Sequence, residues 1–390
     1  MTGMLYREPK LISGEGSLLK VPGMLQKAVH QKVLVATTPG FIRRGSLQPF
    51  FDELDACGIE ATVFSEVVPD PTIECVEELV TAYHEGDCKA IVAIGGGSVM
   101  DCAKVAGARI VCPGKTVRDM KGALKIHRKL PDFYAVPTTA GTGSECTVAA
   151  VVTDTVDGRH YKYAVADFCM TPKVAVLDPA LTVDLPPHMT AATGMDALTH
   201  AVEAYTNRFA SNKVKYRAVD AVHGIYDYLL AAYEDGSNME ARTGMLEASY
   251  NAGIAFSNNF VGYVHAIAHG IGALYGVPHG LANAIILPYV MEQYGTAAYK
   301  ELAVMAEVVE VQHISADNRR LLGRDEMARE FIQWIRDMNE KMGIPDKIKE
   351  LREEDFDILI DRAMAEGNYD YPVPKVWGRE DFRKLLSKLI

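Results

Sequence analysis

Residues 90–104 read A-I-V-A-I-G-G-G-S-V-M-D-C-A-K, and this stretch decides the fold. Ala90–Ile94 is a short apolar run of the kind found in strands buried on both faces. Gly95, Gly96 and Gly97 make a tight turn, and from Ser98 a helix continues through Lys104. Strand, glycine turn and helix N-terminus form an anion site. The missing Cβ atoms let a phosphate approach the backbone, the unsatisfied N–H groups point at it, and the helix dipole favours it. The spacing is not G-x-G-x-x-G, so this is not the ordinary dinucleotide fingerprint. A second reading is a tight turn with Ser98 and Asp101 in a capping box.

Working outward, Lys32–Thr37 reads as a buried strand ending at the turn Thr38-Pro39-Gly40, and Ala61–Val67 as another. Val68-Pro69-Asp70-Pro71-Thr72 is a rigid loop, and Thr72 caps a helix through Tyr83. Phe133–Val136 is a strand that opens into P-T-T-A-G-T-G-S-E at 137–145. The hydroxyls of Thr138, Thr139, Thr142 and Ser144 suit a ribose or a pyrophosphate. Both loops follow strands, which puts them at the edge of the sheet where α/β proteins bind ligands. Val148–Asp154 and Tyr161–Val165 read as a hairpin around Asp157-Gly158, from which Lys162 reaches a cofactor, and Val174–Leu177 is a last strand. Strands alternating with helices imply a parallel sheet covered on both faces.

Beyond about Pro187 helical periodicity takes over, with helices expected at Thr190–Tyr205, Lys213–Tyr233, Met239–Ser257, Tyr263–Tyr275 and near Ala282–Tyr294. The expectation is an α/β domain over 1–187 and an all-helical domain over 188–390. The second half carries V-H-A-I-A-H-G-I-G-A-L-Y-G-V-P-H-G at 264–280. His265 and His269 share a helix face. His279 follows Gly276-Val277-Pro278, where that helix has to stop, so it is expected on a loop. Asp196 and His200 repeat the four-residue spacing. Taken singly, each of these reads equally as a hydrogen-bonded core side chain, and Asp196 as an early-turn acid. Burying them all without a ligand is costly, and two helices and a loop can aim such a set at one divalent metal. The C-terminal third, rich in Glu, Lys and Arg, reads as solvated helix faces with little chemistry.

The chain has 390 residues, 48% of them hydrophobic, which is enough for a large core and two domains. A net charge of −11 argues against nucleic-acid or anionic-membrane partners. The N-terminus has no apolar signal core and no run is long enough to span a bilayer, so a cytoplasmic protein is expected. The seven cysteines include no C-x-x-C pair and none lies beyond Cys169. A metal in the histidine-rich half must therefore accept nitrogen and oxygen, which favours Fe(II), Zn, Mn or Co over a thiolate zinc site.

With these pieces assembled, the chain resembles the iron-containing (group III) alcohol dehydrogenases along almost its whole length. The motifs that carry the resemblance are G-G-G-S-V-M-D-x-A-K at 95–104, P-T-T-A-G-T-G-S-E at 137–145, A-A-T-G-M-D-A-L-T-H-A-x-E at 191–203 and H-x-x-x-H-x(9)-H-G at 265–280. The resemblance implies a dinucleotide-binding α/β domain followed by a helical one, with the active site in the cleft between them, and at least a homodimer. It implies Asp196, His200, His265 and His279 as ligands of Fe(II), with Zn(II) as the other candidate. His269 would lie beside the metal near the substrate and relay a proton. Gly96, Gly97 and Ser98 would hold the pyrophosphate of NAD(H) or NADP(H). Thr138, Thr139 and Thr142 would line its adenosine and ribose end, with Lys162 and Leu181 further along.

Two positions depart from the family's pattern. Thr38 stands where many members have an acid that accepts from the adenosine 2′-hydroxyl; with Arg43 and Arg44 close by, this admits a 2′-phosphate. Asp70 stands in the usual Pro-Asn-Pro-Thr loop and adds negative charge near the cofactor, which disfavours NADP. The choice of nucleotide stays open. By position, Ala149, Ala150, Phe256, Phe260 and Tyr263 form an apolar pocket for a short primary alcohol or aldehyde, with Tyr369–Pro374 as a rim. The rival readings are a hydroxyacid-oxoacid transhydrogenase, a dehydroquinate synthase or glycerol dehydrogenase-like relative, and a silent metal- or nucleotide-binding protein.

Overall fold

A computed structural model describes residues 6–156, 159–309 and 322–390. Contacts divide the chain into two compact units, Met1–Asp184 and Leu185–Ile390.

In chain order the first unit comprises β1 (Lys10–Ser13), α1 (Val21–Lys27), β2 (Lys32–Ala36), α2 (Pro39–Arg44), α3 (Gln48–Ala56), β3 (Glu60–Phe64), α4 (Ile73–Glu85), β4 (Ala90–Gly95), α5 (Gly97–Val111), β5 (Gly122–Ala123), β6 (Asp132–Pro137), β7 (Ala149–Val156), β8 (Arg159–Ala166) and β9 (Val174–Leu177). Six strands form one parallel sheet in the order β1-β9-β6-β4-β2-β3. Alternation along each strand sends side chains to two separate cores. Leu34, Ile91, Ala93 and Phe133 pack with α4 and α5, whereas Val33, Val35, Val92 and Tyr134 pack with Leu25, Phe50 and Leu54 of α1 and α3. A sheet covered on both faces accounts for the near-continuous apolar runs.

β4 and β6 are neighbours in register, with Gly95 opposite Pro137. The glycine turn and the threonine loop therefore leave the same sheet edge side by side. The helix begun by the glycine turn runs to Val111, beyond the expected Lys104. β3 is shorter than the expected Ala61–Val67, and Thr72 caps α4 by accepting from the Cys75 N–H. β7 and β8 pair antiparallel, with β5 on the far edge of β8, as a separate small sheet. The turn expected at Asp157-Gly158 lies outside the described residues.

In the second unit, the described residues form α6 (Pro187–Thr206), α7 (Asn212–Glu234), α8 (Met239–Asn259), α9 (Tyr263–Tyr275), α10 (His279–Tyr294), α11 (Tyr299–Val308), α12 (Arg324–Lys341), α13 (Phe356–Asp370) and α14 (Arg379–Leu386), and no strand. α9 stops at Gly276, whose φ of 71° is the left-handed helix-ending conformation. Val277 and Pro278 turn the chain into α10. His279 is thus the first residue of a helix, which corrects its expected placement on a loop. No helix among the described residues is long and apolar enough to cross a membrane.

Candidate metal centre and nucleotide loops

α6 projects Asp196, His200 and Glu203 from one face, since positions i, i+4 and i+7 lie within two turns of each other. His265 comes from α9 and His279 from α10. One ligand atom from each of Asp196, His200, His265 and His279 lies within 4.8 Å of the others. Asp196 Oδ1 is 3.8 Å from Nε2 of His265 and 3.5 Å from Nε2 of His279. Four donors about 2.1 Å from one ion stand roughly 3.4 Å apart at tetrahedral angles, so the set fits a divalent cation with little adjustment. Gly280 permits this approach of α10 to α6, because a Cβ there would stand 2.4 Å from the Ala192 carbonyl oxygen.

The surroundings orient the donors. His200 is stacked between Phe256 and His265, with ring centroids 4.3 and 4.6 Å away. Asn283 donates from Nδ2 to Asp196 at 2.7 Å and lies 3.2 and 3.1 Å from Nε2 of His265 and His279. Its N–H group therefore sits where three of the four donors converge, which is the place a cation would take. Buried Glu203 receives the Val264 N–H on one oxygen at 2.7 Å and pairs with Nδ1 of His265 on the other. Burial pushes the Glu203 carboxyl up to about 8 and holds His265 well below its ordinary value. With Nδ1 of His265 turned to Glu203, its Nε2 faces the cluster.

His269 is half exposed beside the cluster, its ring stacked on His279 at 5.2 Å, and is not one of the four donors. Its Nδ1 is 2.7 Å from Glu366, which also accepts from Tyr371 at 2.5 Å. The C-terminal third therefore supplies polar groups at the cluster, contrary to the expectation of solvated faces. Neither Glu366 nor Asn283 stands out in the sequence. Asn283 is four residues after His279 and shares its face, but Glu366 has no local signal. Of the expected apolar pocket, Phe256 flanks the cluster, stacked on His200, and Phe260 is exposed. Tyr263 does not flank it, since it is wholly buried among Tyr294, Trp377 and Phe382 with its hydroxyl bonded to Asn368. Tyr369 is exposed and Tyr371 is tied to Glu366, so the expected rim is only partly open surface. Ala149 and buried Ala150 belong to β7 in the first unit.

In that unit the two loops are in contact. A Cβ on Gly97 would stand 2.9 Å from Thr142 Cγ2, and one on Gly96 would lie 3.5 Å from Thr139. Thr139, Thr142, Gly96, Gly97 and Ser98 are partly accessible, and Thr138 is buried beside them. Ser98 Oγ accepts from the Asp70 N–H at 3.3 Å, and the Asp70 carboxylate pairs with Lys162 at 2.7 Å. The Asp70 charge that disfavoured NADP is thus offset by a neighbour. Thr38 precedes α2 without a side-chain capping bond, near the Arg44 guanidinium that stacks 4.7 Å from the Phe41 ring. Leu181 is half-buried against the sheet core.

Ser144 corrects the reading of that loop. Its hydroxyl is buried, donating to Asp101 at 2.8 Å and accepting from Lys104 Nζ at 3.0 Å, so it braces the loop from below. Asp101 also accepts the Val151 N–H and forms no capping box. Buried Lys104 further bonds Thr147 and the Ala149 carbonyl, and burial brings its ammonium down to about 8.

Models of two families match the chain: "Iron-containing alcohol dehydrogenase" over residues 8–179 and "Fe-containing alcohol dehydrogenase family, C-terminal" over 190–390. The chain is 35% identical to alcohol dehydrogenase 4 of Saccharomyces cerevisiae (strain YJM789) over 363 residues, 92% of this chain and 91% of that one. It is 35% identical to the NADPH-dependent butanol dehydrogenase of Clostridium saccharobutylicum, covering 90% and 89%. The solved alcohol dehydrogenase from Oenococcus oeni superposes with a TM-score of 0.93 at 32% identity, covering 100% of both chains. The chain therefore belongs to the iron-containing alcohol dehydrogenases, a family of oxidoreductases.

Proposed function

We propose that this protein interconverts a short primary alcohol and its aldehyde, using NAD(H) or NADP(H) held by the first unit and Fe(II) held by the second, with Zn(II) as a substitute. The observation that carries the reading is the convergence of Asp196, His200, His265 and His279 from three helices. One carboxylate and three imidazoles suit a borderline divalent ion and bring no thiolate. When bound, such an ion supplies electrophilic polarisation of the substrate oxygen.

The chain's own residues do the rest. Glu203 holds His265 in orientation, and Phe256 stacks on His200. Gly96, Gly97 and Ser98 offer N–H groups and close backbone approach to the pyrophosphate. Thr138, Thr139 and Thr142 face the ribose end, and Asp70, Lys162 and Leu181 lie along the remainder of the dinucleotide. His269 takes up the hydroxyl proton in alcohol oxidation and returns it in aldehyde reduction. Acceptance of NADP(H) is supported by Thr38 and Arg44 and by the named cofactor of the clostridial relative. The first unit is then the dinucleotide-binding domain and the second the metal-binding, catalytic one. We further propose a cytoplasmic homodimer, in keeping with seven free cysteines; light scattering reads the dimer.

The test is initial-rate oxidation of NADH and of NADPH by anaerobically purified protein with short aldehydes, before and after chelation and after restoring Fe(II) or Zn(II). Activity lost on chelation and regained with metal supports the reading. No turnover with metal bound sinks it and brings forward a transhydrogenase or a silent binder.

A further inference from the structure

Glu366 stands apart from the four donors, yet it is built into the edge of their site. α13 carries it against α9 because Gly367 lets the helices close up: a Cβ at Gly367 would stand 2.7 Å from the Tyr263 ring and 3.4 Å from Ala266. One oxygen of Glu366 takes both His269 Nδ1 at 2.7 Å and the Tyr371 hydroxyl at 2.5 Å. The carboxylate is thereby held in one place while its side chain remains 31% exposed beside His269, itself 40% exposed. Among the described residues Glu366 forms no ion pair with a lysine or arginine.

We propose that Glu366 is a specificity-determining residue whose fixed negative charge, at the accessible edge of the histidine cluster, admits neutral or cationic alcohols and aldehydes and disfavours those bearing a carboxylate. The inference rests on the cluster being the catalytic centre, as proposed above. Burial pushes the Glu366 carboxyl up, but the His269 charge and the bonds from His269 and Tyr371 outweigh it. The group is therefore held below its usual range and stays ionised at neutral pH. At a fixed protonation state of His269, an amide in place of this carboxylate makes the site one unit more positive. A hydroxy acid or oxo acid is accordingly the wrong substrate class, which bears directly on the transhydrogenase alternative.

The experiment uses three aldehydes of one chain length: butanal, 4-oxobutanoate and 4-(trimethylammonio)butanal. kcat/KM is measured for metal-loaded wild type, Glu366→Gln and Glu366→Asp. Glutamine keeps an acceptor for His269 and Tyr371 and removes only the charge, and ratios between substrates cancel any common loss. Charges roughly 9 Å apart in a partly solvated site bias such ratios by about five- to tenfold. Glu366→Gln is expected to raise the 4-oxobutanoate to butanal ratio at least threefold and to lower the cationic to butanal ratio. Glu366→Asp should keep the wild-type order. High salt should narrow the wild-type discrimination, a reading that needs no variant. A ratio that moves less than threefold in Glu366→Gln, or a wild-type order indifferent to salt, overturns the proposal. Failure of wild type to reduce any of the three instead overturns the alcohol dehydrogenase reading beneath it.

Discussion

Oε2 of Glu203 lies 2.6 Å from Nδ1 of His265, and neither side chain is more than 3% exposed. The contact fixes which imidazole nitrogen carries the proton, and so which one faces Asp196. Glu203→Gln is expected to weaken metal binding by roughly 10- to 100-fold, as loss of a partner behind a ligand histidine generally does. Competition between the protein and a chromogenic chelator for Zn(II) measures this, and unchanged affinity would remove Glu203 from the site.

Gly97 has no room for a side chain, since its Cβ would meet Thr142 Cγ2 at 2.9 Å. In Gly97→Ala the threonine loop must shift away from the helix N-terminus proposed to receive the pyrophosphate. The expected result is a nucleotide KM raised about tenfold or more, with metal content unchanged. A variant with wild-type nucleotide KM would mean that the two loops do not bind the dinucleotide together.

Arg44 is half exposed, stacked on Phe41 and only loosely paired with Asp184 at 3.8 Å, so its guanidinium can turn toward a 2′-phosphate near Thr38. Arg44→Ala should lower the NADPH to NADH ratio of kcat/KM by roughly fivefold or more. Initial rates with each nucleotide decide it, and a constant ratio would place the discrimination elsewhere.

Asp132, at the start of β6, is paired with His30 at 2.9 Å, with Lys129 at 3.3 Å and with Lys173. Burial raises its carboxyl, but these bonds and charges win and bring it from 3.8 down to about 2. A depressed acid contributes stability above its unfolded pKa and loses it as pH falls toward the folded one. The contribution, about 2 kcal/mol, is therefore complete above roughly pH 4 and fades toward pH 2. Urea unfolding of wild type and Asp132→Asn should show a gap that is constant from pH 7 to 5 and narrows below 4. A gap that does not change with pH would mean the charge is not what stabilises this strand start.

What was legible in the chain was local. The spacing of Asp196 to His200 and of His265 to His269 is one helical turn, so period alone put each pair on one face. The apolar run 90–94 before three glycines likewise specified strand, turn and helix without reference to the rest of the molecule. Glu203, seven residues after Asp196, followed the same period and was visible only as part of a motif. The place of His279 at the start of α10 is not legible, because Gly-Val-Pro reads as the end of one helix and gives no sign that the next begins at once. The bracing role of Ser144 is not legible either, because a loop rich in hydroxyls does not reveal which of them turn down toward a buried lysine.

By itself the sequence determined the periodic content: an α/β half with ligand-binding turns at strand ends, a helical half, and donor pairs able to take a nitrogen- and oxygen-loving metal. These follow from backbone geometry repeating every two or 3.6 residues. Only the tertiary structure decided which donors meet, that Asn283 reaches three of them while Glu203 holds His265, and that Glu366 stands 2.7 Å from His269 across 97 positions of chain. Such contacts depend on how closely α13 and α10 approach their neighbours, which is set by packing at Gly367 and Gly280, where no local periodicity operates.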